Sequence, residues 1–294
     1  MGRSGAVART AFMFLFMFGL FAAVGWIIGS YFIGDWLTGA LVFLAIAAAI
    51  NFISYFYSSR IVLFTYRAKV VSEAEAPRLH RIVRGVAQKA DQPMPRVAII
   101  PSPNPNAFAT GRSPRNATVA ATKGILDLLD DNELEGVMAH EMAHVRNRDM
   151  LVMTIAATLA GAISFAARWA LYGAMFGGGR NDNGGNALIM LLVAVTAPIA
   201  ALLVQLAISR NREYGADEAG ALMIGKPLYL ASALRKLEEG SRRRPMQMGS
   251  PSSSSLFIVN PFQGGGFVSL FMTHPPVDKR IERLRKMAGD MGQY

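Results

Sequence analysis

The sequence predicts a mainly α-helical membrane protein, with four transmembrane helices and a cytosolic α+β domain that carries a small β-sheet. Three observations favour this fold class. Of the 294 residues, 52% are hydrophobic and only 17% are charged, which is too apolar for an ordinary soluble domain. Four long stretches lack any charged residue, and a bilayer requires about 20 apolar residues per helix. The segments between and after them have the mixed helix and strand patterns of a folded domain.

Each uncharged stretch is predicted to be one transmembrane helix. The four stretches are Thr10–Gly34, Trp36–Ser59, Met150–Ala167 and Asn183–Ser209. A cleavable signal peptide does not explain the first, because its apolar run exceeds the roughly 7–15 residues of a signal sequence and a second span follows at once. Buried core helices are the alternative for the last two. The predicted domains are two membrane hairpins and two parts of one cytosolic domain, in the order 1–59 (hairpin), 60–149 (domain), 150–209 (hairpin) and 210–294 (domain).

Positive charges at the ends of the spans predict the orientation of the chain. Lysine and arginine residues flank one set of ends, at Arg3, Arg9, Arg60, Arg67, Lys69, Arg146, Arg148, Arg210 and Arg212. The connectors on the opposite side contain only Arg180, apart from Arg168 at the end of the third span, which is expected to extend to the outer interface. Because positively charged flanks remain in the cytoplasm, both termini and residues 60–149 are predicted to be cytosolic.

Composition also limits the partners and the metal sites. The chain contains no cysteine, so disulfide bonds and thiolate metal sites are excluded, and any metal must be held by histidine and carboxylate. The net charge of +10 could indicate nucleic acid. However, the basic residues cluster beside the spans and in the SRRRP run at 241–245, without the interleaved aromatic residues that stack on bases. We therefore expect contact with the lipid bilayer and no nucleic-acid partner.

The segment between the second and third spans is predicted to form a helix followed by a small sheet. Pro77 suits the first turn of the helix, and apolar residues recur at helical spacing at Leu79, Ile82, Val83 and Val86. His80 lies beside this stripe and is expected to be solvated or to cap local structure. Short strands are predicted near Val97–Ile100, Ala107–Thr110 and Ala117–Ala121.

The next helix carries a metal-binding pattern, HEMAH, at residues 140–144. Asp130 and Glu133 have the spacing of a capping box, which marks the start of the helix. His140 and His144 lie four residues apart, so both imidazoles project from one face and can bind the same zinc ion. Glu141 can act as a general base on a water molecule activated by the metal.

A catalytic zinc site needs a third protein ligand. The metzincin pattern requires glycine and histidine where this chain has Asn147 and Met150, so that class is excluded. The remaining common arrangement takes a glutamate from a second helix. The segment SRNREYGADEAGA (209–221) supplies Glu213, with Asp217 one turn later on the same face, where it is suited to orient a ligand imidazole.

The predicted topology brings these distant residues together. His140 and His144 precede the third span, whereas Glu213 follows the fourth, and the two ends of a helical hairpin are neighbours in space. The sequence therefore predicts a zinc site at the cytosolic membrane surface, within reach of a polypeptide that emerges from the bilayer.

Four motifs stand in order along the chain. They are PNAFATG (105–111), HEMAH (140–144), SRNREYGADEAGA (209–221) and FMTHPPVDKRIERL (271–284). Together they resemble the HtpX family of membrane-bound zinc endopeptidases, relatives of the CAAX-prenyl endopeptidases, and the resemblance covers nearly the whole chain. It implies a zincin-like catalytic domain that binds one zinc ion per chain. The residues it implies are the ligands His140, His144 and Glu213, and the general base Glu141.

The same resemblance implies a biological role. Members of the family hydrolyse membrane or misfolded proteins in protein quality control and stress response, in a bacterial cytoplasmic (inner) membrane. Polypeptides, in particular membrane proteins, are therefore the expected substrates. The sequence predicts neither the individual substrates nor the oligomeric state.

The sequence leaves open the roles of two features, Ala107–Thr110 and His274, and one alternative function. Ala107–Thr110 could be a cleft strand that pairs with substrate or an ordinary strand, and His274 could stabilise an oxyanion or, as we favour, cap local structure before Pro275. A membrane-anchored scaffold with a non-catalytic zinc site is the alternative function, although such a site has no use for a base at Glu141. A transporter is disfavoured because the spans contain few ionisable residues.

Overall fold

The computed structural model describes residues 3–30, 34–176, 210–262 and 274–293. Two N-terminal helices, α1 (Arg3–Ile28) and α2 (Trp36–Thr65), form the apolar hairpin expected from the sequence. Within them, Val7–Trp26 and Trp36–Thr65 are long and apolar enough to cross a membrane. The second helix continues six residues beyond the predicted end of its span at Ser59.

Small residues and a cap define the α1–α2 hairpin. The Asp35 side chain accepts a hydrogen bond from the backbone N–H of Leu37 at 3.0 Å and so caps the start of α2. A Cβ atom on Gly25 would lie 2.6 Å from the carbonyl oxygen of Gly39. The two helix backbones therefore meet directly, as small residues allow at membrane helix crossings.

The other two predicted spans are only partly described. Helix α6 (Asp149–Phe176) contains the third predicted span, Met150–Ala167, and its apolar part as described, Asp149–Gly161, is shorter than the two N-terminal spans. The fourth predicted span, Asn183–Ser209, lies outside the described residues. The described part of the chain is thus mainly helical, with two candidate membrane helices.

The predicted sheet is present and contains one additional short strand. Its strands are β1 (Lys69–Val70), β2 (Arg96–Ile100), β3 (Ala107–Thr110) and β4 (Thr118–Thr122), in the spatial order β1-β2-β4-β3. β2 and β4 are parallel, whereas the other two pairs are antiparallel. The three predicted strands are confirmed, each within one residue of its expected bounds. β3 is an edge strand.

The two faces of the sheet pack against different parts of the molecule. One face contributes Val97, Ala107, Ala109, Val119 and Ala121 to the main core. The opposite face contributes Ala98, Ile100, Phe108 and Ala120 to a second cluster, which contains Val62 and Tyr66 from the end of α2 and Met153 and Ala157 from α6. The sheet therefore lies between the main core and the ends of two apolar helices.

The main core is assembled around one central helix. Beyond the sheet and membrane helices, the helices are α3 (Pro77–Lys89), α4 (Lys123–Leu128), α5 (Asp131–Asn147), α7 (Arg210–Ile224), α8 (Pro227–Arg243) and α9 (Val277–Asp290). Short 3₁₀ turns occur at Pro114–Asn116 and Pro251–Leu256. Helix α5 contacts α3, α7, α8 and β3. The predicted α3 helix is confirmed: its first turn holds Pro77, and its apolar stripe is buried.

Candidate metal centre

The helix that carries the HEMAH motif begins at a capping box, as predicted. The Asp130 side chain accepts a hydrogen bond from the Glu133 N–H at 2.9 Å, and the Glu133 side chain accepts one from the Asp130 N–H at 3.1 Å. Ser232 and Lys236 of α8 also donate to Glu133, at 2.6 and 2.7 Å. The start of α5 is therefore fixed to a neighbouring helix as well as to its own backbone.

A left-handed residue separates α5 from α6. Arg148 has φ of 59°, and its backbone N–H donates to the carbonyl of Val145 at 3.2 Å. A non-glycine residue in this region ends a helix. The chain changes direction here, and Asp149, the first residue of α6, is placed with its carboxylate 3.7 Å from Nδ1 of His144.

Close contact between α5 and α7 brings the third element of the site to the motif. A Cβ atom on Gly220 would lie 2.8 Å from the backbone nitrogen of His140, so only glycine allows the two helices to approach at this point. Glu213 and Asp217 lie one turn apart on α7 and are both buried. They share one face of the helix, as their spacing predicted, and both contact His140 of the motif.

Three potential ligand groups converge in the interior. His140, His144 and Glu213 are 1%, 3% and 1% exposed, and one ligand atom from each lies within 4.8 Å of the others. Glu213 Oε2 lies 3.8 Å from His140 Nε2, and Glu213 Oε1 lies 3.5 Å from His144 Nε2. No other cluster of histidine, aspartate and glutamate among the described residues has metal-binding geometry.

These distances fit a tetrahedral zinc site. With metal–ligand bonds of about 2.1 Å, two ligand atoms in a tetrahedron lie about 3.4 Å apart, and the distances from Glu213 to the two imidazoles, each to a different carboxylate oxygen, are close to this value. They are also too long for hydrogen bonds between the groups. Two imidazole nitrogens and one carboxylate are a donor set that zinc prefers, so the residues present fit the ion.

The electrostatics of the cluster favour a cation. Although burial raises the pKa of Glu213, the neighbouring His274, His144 and His140 hold it well below its ordinary value. Burial lowers the pKa of His144, but the carboxylates of Asp149, Glu213 and Glu141 outweigh it and raise that pKa to about 9. The negative charges around His144 thus stabilise a positive charge, which a metal ion would supply.

Glu141 lies beside the cluster and is 2% exposed. Burial raises its pKa to about 7, with a further contribution from the negative charge of Glu213, against the opposing effects of His144 and of the backbone N–H of Ala109. A carboxylate with a pKa near neutrality can both accept and return a proton. The contact with Ala109 also places the edge strand β3 next to this carboxylate.

Asp217 holds the imidazole of His140 from behind. Its Oδ1 lies 3.0 Å from His140 Nδ1, which leaves Nε2 directed at Glu213. Arg280 of α9 donates to both oxygens of Asp217, at 2.8 and 2.7 Å, and to the carbonyl of Ile258 at 2.7 Å. Although burial opposes it, Arg280 holds the pKa of Asp217 below its ordinary value. We refer to His140, Asp217 and Arg280 as the Asp217 network.

Sequence reasoning missed Arg280, although a signal for it was available. The arginine is 0% exposed, the largest fully buried side chain of the described residues. In α9 it shares one face with the buried residues Ile281, Leu284 and Ala288. An arginine inside an apolar stripe, in a helix with ample solvent-exposed positions, indicates a buried ion pair.

The two remaining histidines lie in different surroundings. His274 Nδ1 lies 3.3 Å from Glu213 Oε2, and Nε2 lies 3.3 Å from the carbonyl oxygen of Ser254. Both contacts reach residues distant in sequence, so they differ from the local capping that the sequence favoured. His80 Nδ1 lies 3.1 Å from the carbonyl of Ala76, one turn back in the helix, and His80 is not part of the cluster, as expected.

The chain is similar to known proteins over most of its length. Residues 73–288 match the model of peptidase family M48. The chain is 52% identical over 289 residues to "Protease HtpX homolog" of Pyrococcus furiosus, covering 98% of both chains. It is 52% identical over 283 residues to the protein of the same name from Salinibacter ruber, covering 96% of this chain and 98% of that one. Among solved structures, "Crystal Structure of S. mikatae Ste24p" aligns with a TM-score of 0.49 and 16% identity, over 95% of this chain and 65% of the other.

Proposed function

The chain belongs to peptidase family M48 and is a membrane zinc endopeptidase, and we propose that it hydrolyses membrane or misfolded proteins at the cytosolic face of the cytoplasmic (inner) membrane. The relatives named as proteases match over nearly their full length. The apolar hairpin agrees with membrane association. We also propose a role in protein quality control and stress response, as the resemblance to the HtpX family implies.

In this proposal, His140, His144 and Glu213 are the zinc ligands, and the geometry of this cluster is the observation that carries the assignment. All three groups are buried, one ligand atom from each lies within 4.8 Å of the others, and Glu213 lies 3.8 and 3.5 Å from the two imidazole nitrogens, which is compatible with a tetrahedral site. Burial lowers the pKa of His140, which favours the neutral imidazole that a metal requires.

The reaction is the addition of water to a peptide carbonyl, followed by cleavage of the carbon–nitrogen bond. Bound zinc supplies Lewis-acid polarisation of the carbonyl and acidification of the attacking water. Glu141 takes one proton from that water as the oxygen attacks the carbonyl carbon, and then delivers the proton to the departing amine nitrogen. Without metal its pKa is raised to about 7, chiefly by burial, and a bound cation would lower that pKa, which favours the carboxylate that accepts the first proton. Asp217 keeps the imidazole of His140 oriented.

The edge strand β3 is the proposed binding site for the substrate backbone. Residues two apart in a strand direct their backbone groups to the same edge, so Ala107 and Ala109 share the edge that is not paired with β4. Ile258 donates to the carbonyl of Ala107 at 3.3 Å, and Ala109 lies next to Glu141. An extended peptide that pairs with β3 at Ala109 would lie against the proposed base.

The topology of four spans and the four domain segments remain proposals with a direct test. Residues 1–59 and 150–209 would form the membrane hairpins, with 60–149 and 210–294 in the cytosol. Because the chain has no cysteine, Asn183→Cys should react with an impermeant thiol reagent added outside the cell, and Ser252→Cys should not. Labelling with the opposite pattern would contradict the proposed orientation.

Glu141→Gln tests the proposed function itself. Wild type and variant are purified in mild detergent with a chelator present, zinc is added, and cleavage of an unfolded model protein and of the chain itself is followed. The variant should bind zinc equally and lose turnover, whereas Glu213→Ala should lose zinc. Wild type and Glu141→Gln could both hold zinc and yet fail to cut, in detergent and in liposomes. This outcome would support the alternative function, a membrane-anchored scaffold.

A further inference from the structure

Three elements of the chain converge on the carboxylate of Asp149, at the junction of α5 and α6. Its Oδ2 lies 3.7 Å from His144 Nδ1, and its Oδ1 lies 3.2 Å from Nη2 of Arg9 in α1. Nη1 of Arg212, the neighbour of Glu213, lies 3.8 Å from the same Oδ1. The Asp149 side chain is only 6% exposed, so contacts with these basic neighbours offset the cost of burying it. We refer to His144, Asp149 and Arg9 as the Asp149 network.

Packing between α1 and α6 places Arg9 at this carboxylate. Arg9, Met13 and Met17 follow each other at intervals of four residues, so they share one face of α1. Met13 and Met17 are each 1% exposed. They pack in one cluster with three residues of α6, Val152, Ile155 and Leu159. The Arg9–Asp149 ion pair therefore lies at one end of an apolar contact between the two helices.

A histidine that binds a metal needs a partner for its second ring nitrogen, and that partner must itself be held in place. For His140 this partner is Asp217, held by Arg280. For His144 the carboxylate on the corresponding side is Asp149; its Oδ2 lies 3.7 Å from Nδ1, beyond hydrogen-bond distance, so the contact is an electrostatic one. Arg9 donates a hydrogen bond to it, so the arginine limits how the carboxylate can rotate beside the imidazole.

We propose that Arg9 is a positioning residue for the metal centre, which acts through Asp149 to hold the His144 imidazole with Nε2 directed at the zinc. The inference rests on the proposed function, because it takes His144 as a zinc ligand. The first apolar helix is then part of the metal centre and more than an anchor. Zinc affinity should depend on how α1 is seated against α6.

The test measures zinc affinity and thermal stability of the full-length protein, together with peptidase activity. The zinc dissociation constant is obtained by competition with a chromophoric chelator, in detergent and in liposomes. Arg9→Gln should weaken zinc binding roughly 3- to 10-fold. This loss is at or below the low end of the effects of residues that orient metal ligands, because Arg212 remains beside Asp149. Arg9→Lys keeps the charge and should recover part of the affinity.

Arg60→Gln is the matched control. Arg60 is an exposed arginine near the end of α2, over the ring of Tyr57, and its loss removes the same charge from the same hairpin. We expect its zinc affinity to equal that of wild type. Asp149→Asn should weaken zinc binding roughly tenfold, and the double variant Arg9→Gln/Asp149→Asn should be no weaker, because Arg9 acts through Asp149.

Three outcomes would overturn the inference. Unchanged zinc affinity in Arg9→Gln, with or without a lower thermal midpoint, would make Arg9 an anchor of α1 only. Additive losses in the double variant would show that Arg9 does not act through Asp149. Normal zinc affinity in Glu213→Ala, measured alongside, would instead refute the ligand assignment of the proposed function, and the inference would fall with it.

Discussion

His140 and His144 lie one turn apart on the same helix, yet the Asp217 network and the Asp149 network hold them differently. The distances within the Asp217 network are 2.7–3.0 Å. Those within the Asp149 network are 3.2 and 3.7 Å. In the Asp217 network the arginine comes from α9, which packs in the main core. In the Asp149 network it comes from the apolar helix α1. In our proposal, a single metal centre is thus supported both by the core and by the N-terminal apolar hairpin.

The difference in burial determines how strong each network is. The Arg280 side chain is 0% exposed and the Arg9 side chain is 24% exposed. Charges interact more strongly in the interior, where the effective dielectric constant is low, but an unpaired charge is also most costly there. We therefore expect disruption of the Asp217 network to affect folding as well as zinc binding, and disruption of the Asp149 network to affect mainly zinc binding.

The largest expected effect comes from Arg280→Gln. It leaves the carboxylate of Asp217 buried without its bidentate partner, and removal of one member of a buried ion pair costs about 3–5 kcal/mol of folding free energy. The thermal unfolding midpoint of the zinc-free protein in detergent should fall sharply. Arg285→Gln, an exposed arginine on the same helix, is the control and should change stability by about 0.5 kcal/mol or less. Equal midpoints for the two variants would contradict the structural role of Arg280.

The second-largest expected effect is on zinc affinity, when each of the two aspartates is replaced. Asp217→Asn should weaken zinc binding roughly 100-fold and Asp149→Asn roughly tenfold, because outer partners of ligand histidines contribute 10- to 100-fold and the Asp217 contact is the shorter. Chelator competition on the folded fraction of each variant provides the measurement. Equal losses, or a larger loss for Asp149→Asn, would remove the distinction between the networks.

The parts of the site that the sequence predicted are those with local signals. The capping box at Asp130 and Glu133, the four-residue spacing of His140 and His144, and that of Glu213 and Asp217 each lie within one helix. Such patterns specify which side chains share a face, whatever the tertiary structure. The strand bounds were predicted for the same reason, since turn residues flank each strand.

The pairing of each arginine with its aspartate could not be predicted in this way. Arg280 and Asp217 are 63 residues apart, and Arg9 and Asp149 are 140 residues apart. No periodicity connects such positions, and a basic residue before an apolar span is explained by orientation alone. The two-residue strand β1 and the left-handed Arg148 also escaped prediction, because neither leaves a recognisable pattern in the sequence.

The smallest expected effect concerns a second contact between an apolar helix and the main core. Thr154 of α6 donates to the carbonyl of Met150, and its hydroxyl lies 3.0 Å from that of Thr110 in β3. Thr154→Val keeps the shape and leaves the buried Thr110 hydroxyl without this partner, which should cost about 1 kcal/mol of stability. Thr158→Val, whose hydroxyl bonds only within its own helix among the described contacts, should change stability by less.

Zinc affinity distinguishes this contact from the Asp149 network. The contact between Thr154 and Thr110 supports the edge strand rather than an imidazole, so Thr154→Val should bind zinc as tightly as wild type while Arg9→Gln does not. Chelator competition on both variants, measured beside their thermal midpoints, provides the test. If Thr154→Val weakens zinc binding as much as Arg9→Gln does, the apolar helices affect zinc binding indirectly, through the packing of the whole main core. The separate role of the Asp149 network would then be lost.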